Sequence, residues 1–274
     1  MEKVAYTCEA MLAKKRISIP NIPPFEAKPG ISFLGIVPVR EDSKGLRRKN
    51  MKLLGGRPLY RWVVDAAKAS GVFSQIVVMS DWEDLLDDAR KCGYDILHEP
   101  KELTEDHRYV GEAMAWALGK TCLNDCKPTY VQLLQATAPY LKPHHIQTAA
   151  SMITYLDADM VVGITPSLTP TAFTRIVPRD WSLKDWYPEE FRGKRRQDFP
   201  QTWGLNGYIY LAKREVWAEQ KDWWKTNIYG YPMSAEDHIE IDTQEDFEYA
   251  KWLLHKKSGR IRGICSFFRK LFVD

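Results

Sequence analysis

From Ile31 onward the chain alternates short apolar runs with helix-length segments, and this alternation constrains the fold more than any other feature. Strand-like runs fall at residues 32–39, 75–80, 95–98, 129–135, 160–165 and 208–212. Helix-like segments at 58–70, 82–92, 110–118 and 143–156 lie between them. Strands joined through helices return side by side and parallel, and such a sheet needs cover on both faces. The expected class is therefore α/β, a mostly parallel sheet with helices on both faces.

The 274 residues suit one large domain. Residues 1–30 carry Lys14, Lys15, Arg16 and four prolines (Pro20, Pro23, Pro24, Pro29), which predicts an extended, disordered leader before a domain over residues 31–255. Residues 166–207 break the rhythm. They are rich in Pro, Trp, Arg and Lys without helical period, and read as an irregular excursion or an arm that meets another subunit. Residues 243–255 return to an amphipathic helix with Thr243 as N-cap and acids in its first turn. The tail, 256–274, sets Ile261, Ile264, Phe268, Leu271 and Phe272 among basic residues. Such a helix can lie on an anionic membrane, but docking on the body or on a partner subunit is the reading favoured here.

Composition excludes several classes. Hydrophobic residues at 45% provide for a core, and a net charge of +3 is too small to argue for nucleic acid. No apolar run approaches the ~18 residues of a membrane span. The five cysteines (Cys8, Cys92, Cys122, Cys126, Cys265) form no C-x-x-C pair, and nothing completes a zinc site around Cys122 and Cys126. Reduced thiols and a cytoplasmic location are the expectation. The histidines share no metal-ligand spacing, and no G-x-S-x-G nucleophile appears.

The richest stretch is Gly35 to Asn50, G-I-V-P-V-R-E-D-S-K-G-L-R-R-K-N. A buried-type strand empties into a short cationic loop containing glycine. Backbone N–H groups and cations arranged in this way hold phosphates. Neither the Walker A pattern nor G-x-G-x-x-G is present. Arg48 reads as solvated, whereas Arg40, at the exit of the strand, and Lys49 read as functional. Asp81 follows the strand at 75–80 and can hold ribose, position the loop or N-cap the next helix.

This stretch resembles the signature loop of the acylneuraminate (CMP-sialic acid) cytidylyltransferases, P-A-R-x-G-S-K-G-I-x-x-K-N. Further stretches match in order. L-L-Q-A-T-A-P (Leu133 to Pro139) is similar to L-L-Q-P-T-S-P, and R-R-Q-D-F-P (Arg195 to Pro200) to R-Q-D-L-P. L-N-G-Y-I-Y (Leu205 to Tyr210) is similar to N-G-A-I-Y, and I-E-I-D-T-Q-E-D-F (Ile239 to Phe247) to I-D-I-D-T-x-x-D-F. The resemblance covers residues 31 to 254.

It implies a Rossmann-like nucleotidyltransferase sheet with an irregular dimerisation insertion, and a homodimer in which one subunit helps to complete the other's site. The implied reaction joins CTP to an acidic 2-keto sugar with Mg2+, giving CMP-sugar and pyrophosphate. Arg40, Ser43, Lys44, Gly45, Lys49 and Asn50 would contact the nucleotide, with Arg40 and Lys49 on the phosphates. Gln135 would contact the acceptor, Arg196 and Gln197 its carboxylate, and Asn206 with Gly207 would shape the pocket floor. Asp242 would hold the metal with Glu240 as second carboxylate, because acids two apart in an extended segment point to one side. The other reading of Asp242 is an acid at a helix N-terminus. Three acids depart from the pattern: Glu41 and Asp42 in the loop, and Glu99 where arginine is usual. They leave open a different acid acceptor, such as an octulosonate or a phosphonate, or a weakly active nucleotide-binding homologue. Octulosonate enzymes carry S-T-R-L in place of S-K-G-L, which argues against that acceptor.

Overall fold

The computed structural model describes residues 21–41, 45–105, 108–121, 127–167, 169–174, 176–185, 187 and 189–257. Strand β1 (Phe33–Val39) is followed by a 3-10 turn (Lys49–Met51), the short strands β2 (Leu53–Leu54) and β3 (Arg57–Pro58), and helix α1 (Leu59–Ser70). Next come β4 (Gln75–Ser80), α2 (Glu83–Lys91), β5 (Asp95–His98), α3 (Lys101–Thr104), α4 (Val110–Thr121) and β6 (Tyr130–Leu133). The remainder is α5 (Pro143–Tyr155), β7 (Met160–Pro166), β8 (Trp203–Lys213), α6 (Arg214–Ala218), β9 (Ile228–Pro232) and α7 (Gln244–Lys257).

Seven strands form one sheet in the order β5-β4-β1-β6-β8-β7-β9. The β1–β4, β4–β5, β1–β6 and β7–β9 pairs are parallel, and β8 runs antiparallel to both its neighbours. The sheet is thus mostly parallel, as the alternation predicts. The central strands are apolar on both faces because both faces are covered. Phe33, Val37 and Val39 of β1 join a core built with α1, α2, α5 and α7. Leu34 and Ile36 point the other way, to α4 and α6.

The sequence gives no clear sign of β9, α3 or α6, while Leu53, Leu54 and the glycine pair after them mark the turn of the β2–β3 hairpin. β9 contains Gly230 and ends in Pro232, which an edge strand tolerates and strand propensity does not favour. The hairpin turns through Gly55 and Gly56, both at positive φ, and Trp62 Nε1 donates to Leu54 O (3.1 Å) beneath it. Residues 1–20 of the expected leader lie outside the described residues. The rest of it is anchored, with Ile22 and Phe25 against the core and the Phe25 ring edge-on to Phe33. Of the tail, Lys256 and Lys257 continue α7, and 258–274 lie outside the described residues. Among the described residues no helix is long and apolar enough to cross a membrane.

The excursion between β7 and β8 is framed by strand. Pro166 pairs with Trp203 and Thr165 with Gly204, so both ends expected to be irregular belong to a two-stranded stalk. Beyond it come 3-10 turns at Thr171–Phe173, Glu189–Phe191 and Arg196–Asp198, gathered around buried Phe199 by the rings of Phe173 and Phe191. Ile176, Trp181 and Leu183 remain exposed.

Below the stalk the β7–β8 register shifts between Val162 and Ile164. Asn206 fills this bulge. Its Nδ2 donates to Thr165 Oγ1 (2.9 Å), its Oδ1 accepts from Tyr208 N (3.1 Å), and the side chain is buried over Gly163, where a Cβ would collide with it. Asn206→Ala leaves the Tyr208 N–H and Thr165 hydroxyl without these partners. It should lower stability by ~2–3 kcal/mol in urea unfolding, and an unchanged midpoint would refute this role.

Candidate active site

The parallel strands β1, β4, β5 and β6 end at one edge, so the residues just after them converge there. A cleft of about 370 Å³ opens at this edge, lined among others by Arg40, Lys49, Asn50, Glu99, Gln135 and Glu240.

Val39 is the last buried residue of β1, and Arg40 emerges exposed at the rim of the cleft. Ser43 and Lys44, with Asp42, lie outside the described residues. Gly45 lies against the backbone carbonyl of Asp242, where a Cβ would not fit, so the glycine is demanded by close approach. Arg48 is left-handed (φ 52°). This turn folds its guanidinium back to Glu41 Oε1 (2.7 Å) and over the Trp82 ring at 5.1 Å. Arg48 stays exposed, as expected of a solvated cation, and its contacts with Glu41 and the Trp82 ring are made at the surface. Glu41 is turned toward Arg48, and its N–H donates to Asp81 Oδ1 (3.1 Å). The other Asp81 oxygen accepts from Thr104 Oγ1 (3.0 Å). Asp81 thus ties the loop to α3. It does not cap α2, where Ser80 Oγ instead accepts from Trp82 N (3.0 Å).

Lys49 is buried, and its ammonium donates to Ile241 O (2.9 Å) and Asp242 Oδ1 (2.6 Å). Asn50 beside it is also buried, and its Oδ1 has no partner among the described residues. The segment that receives Lys49 is held from behind. Asp246 Oδ2 accepts from Thr243 N (2.8 Å) and Asp242 N (3.1 Å), while Thr243 Oγ1 accepts from Asp246 N (3.2 Å). This reciprocal cap makes Thr243 the N-cap of α7 and leaves the Asp242 carboxylate, which caps nothing, facing Lys49.

Glu240 is half-buried and lines the cleft. Burial pushes its carboxyl above the usual range, the negative charge of Asp242 adds to this, and Lys49 opposes it. With the Gln135 amide turned so that its nitrogen donates, that nitrogen reaches Glu240 Oε1 (2.9 Å) and Gly207 O (3.2 Å). Gly207 is at φ +71°, and a side chain there would meet Gln135 at 2.8 Å. The bulge held by Asn206 therefore presents bare backbone to Gln135 and Glu240, although Asn206 itself is not among the residues lining the cleft. Arg196 and Gln197 belong to the Arg196–Asp198 turn of the arm, and Arg196 is not among the residues lining the cleft.

Glu99 lines the cleft although nothing in its sequence context assigns it a role. It directly follows β5, at the same edge as Arg40 and Asp81, and that position is the signal available in the sequence. The residue is 3% exposed, and burial, then the nearby Asp81, pushes its carboxyl up to about 7.

Among the described residues no group of three His, Cys, Asp or Glu side chains is placed to hold a metal ion. Glu240 and Asp242 offer two carboxylates whose mutual repulsion a cation would relieve. Two carboxylates and substrate oxygens are a donor set suited to a hard divalent ion.

The solved CMP:2-keto-3-deoxy-manno-octonic acid synthetase complexed with CTP superposes with a TM-score of 0.64 at 14% identity, over 82% of this chain and 99% of that one, a likeness of fold. Among curated proteins, N-acylneuraminate cytidylyltransferase of Streptococcus agalactiae serotype V is 31% identical over 216 residues, 77% of this chain and 51% of that protein. The chain thus spans about half the length of that relative. Pseudaminic acid cytidylyltransferase of Campylobacter jejuni is 26% identical over 226 residues, 80% of this chain and 95% of that protein. The model of the family described as cytidylyltransferase matches residues 34–177, more than half of the sequence, and the chain belongs to the cytidylyltransferase family.

Proposed function

We propose that the protein transfers CMP from CTP to the anomeric hydroxyl of an acidic 2-keto sugar of the sialic-acid kind, releasing pyrophosphate. The observation that carries this reading is the meeting of Lys49, Glu240 and Asp242 at the carboxyl edge of the sheet, directly beside the loop that follows β1. The names of the N-acylneuraminate and pseudaminic acid cytidylyltransferase relatives support the acceptor class.

The triphosphate lies along the loop. Arg40 and Lys49 neutralise its charge, and Ser43, Lys44, Gly45 and Asn50 complete the cradle. The unpartnered Asn50 Oδ1 and the tight Gly45 approach suit a ligand packed against the loop backbone. Asp81 keeps the loop in place through Glu41 N–H, a position from which it can also meet ribose. Gln135 orients the acceptor next to Glu240. The acceptor hydroxyl oxygen forms the new O–P bond at the α-phosphorus as the bond to pyrophosphate breaks and the hydroxyl proton is released to solvent, so the protein supplies positioning and charge rather than a covalent nucleophile. Asp242 and Glu240 would hold Mg2+, which when bound supplies Lewis-acid neutralisation of the α-phosphate. Arg196 and Gln197, carried on an arm with exposed Ile176, Trp181 and Leu183, act on the acceptor carboxylate across a homodimer, each arm serving its partner's cleft.

CTP with an acidic keto sugar should release pyrophosphate, and ATP and GTP should not. Equal turnover with every nucleotide would defeat the assignment. Asp242→Asn should reduce turnover by ~100-fold or more, the scale of one strong electrostatic contact to a developing charge, with Glu240→Gln costing less. Full activity of Asp242→Asn in the same pyrophosphate assay would move the metal elsewhere.

A further inference from the structure

We infer that Glu99 reads the nucleobase, its carboxyl forming a two-point hydrogen-bonded pair with the amino-pyrimidine edge of cytosine. This rests on the nucleotide reading of the cleft given above and adds to it the group that recognises the base.

The argument begins with placement. Glu99 N–H donates to Ser80 O (2.8 Å), which pins its backbone at the end of the parallel strands. Its side chain is almost wholly removed from solvent and yet forms part of the cleft wall. Among the described residues no hydrogen bond or ion pair reaches the carboxyl. Among the described residues the charge that acts on it is that of Asp81, another acid. A buried carboxyl without a partner is unfavourable unless a ligand supplies one or the group stays neutral.

The cleft is polarised in a way that says which ligand group arrives there. Lys49, Asn50 and the Glu240–Asp242 pair gather at one end. Leu103, Val110 and Ala113 supply apolar wall elsewhere along the lining that Glu99 shares. The other charged groups of the lining are Arg40, Glu105 and Arg108, and none of them shifts Glu99. A phosphate beside Glu99 would meet an unpaired acid, so the phosphates belong with the cations and the base belongs here.

The neutral acid matches cytosine atom for atom. Its carbonyl oxygen accepts from the exocyclic N4 amine, and its O–H donates to N3. The ionised form keeps the first bond but sets negative charge against the N3 lone pair. Burial and Asp81 place the carboxyl at about 7, so both forms are populated near neutrality. The sign follows: the second bond is present below pH 7 and is lost as the pH rises through it. Glutamine carries the same acceptor and donor with no titration.

The test is calorimetric titration of CTP at fixed magnesium from pH 6 to pH 8, with wild type, Glu99→Gln and Glu99→Ala, each checked for folding by circular dichroism. All three share the titration of the triphosphate, so ratios between variants isolate Glu99. Wild-type affinity relative to Glu99→Gln should fall about fivefold across this range, the change expected when the ionised form, having lost one hydrogen bond, binds about 10-fold more weakly. Glu99→Ala should bind more weakly than Glu99→Gln throughout. A flat wild-type to Glu99→Gln ratio, or Glu99→Ala binding as well as Glu99→Gln, would overturn the assignment while CTP binding itself stands. Absence of CTP binding by all three folded proteins would instead remove the nucleotide reading, and this inference with it.

Discussion

A single ammonium joins the two ends of the site. Lys49 reaches across 193 positions of sequence to Asp242 and, through the Ile241 carbonyl, to the backbone of the same segment. The ion pair with the largely exposed Asp242 is worth little on its own, because solvent screens it. The buried bond to Ile241 matters more, since a buried ammonium must be satisfied. Around that contact the neighbouring features become necessary. Gly45 must lack a side chain to let the loop pass the Asp242 carbonyl, and Asp246 must hold the Asp242 and Thr243 N–H groups so that the receiving segment stays in place. Glu240, two residues before Asp242, is delivered to the cleft by the same segment.

The Gln135 side of the cleft depends on a different device. Because β8 is antiparallel, its residues 205–207 enter the sheet from the direction of the arm, and the bulge at Asn206 brings Gly207 up to Gln135. A regular ladder would put a side chain where Gly207 offers bare backbone. The hydrogen bonds of Asn206 therefore serve site geometry although its side chain stays out of the cleft.

Much of the fold was legible because apolar runs buried on both faces are a strong local signal, as in β1, β4 and β7. The pieces that were not legible depend on tertiary context. β9 is an edge strand carrying glycine and proline, and α3 and α6 are too short to show a period. At the candidate site, motif matching picked out Lys49, Gln135 and Glu240, which the fold brings to one cleft. It could not foresee that a left-handed Arg48 would fold back onto Glu41, since one backbone dihedral decides this. Nor could it show what a partnerless Glu99 would face, because burial is a property of the assembled sheet.

The sheet order has a consequence for how the molecule is made. β8 lies between β6 and β7, so β7 and β9 reach the rest of the sheet only through a strand synthesised after the whole arm. Closing loops of that length is slow compared with forming the local crossovers of β1, β4 and β5. On the ribosome the first half can condense early. The carboxylates at positions 240 and 242 arrive last. Until they do, Lys49 lacks the Ile241 carbonyl and the Asp242 carboxylate that receive it, so this edge of the cleft is completed only when the segment before α7 arrives.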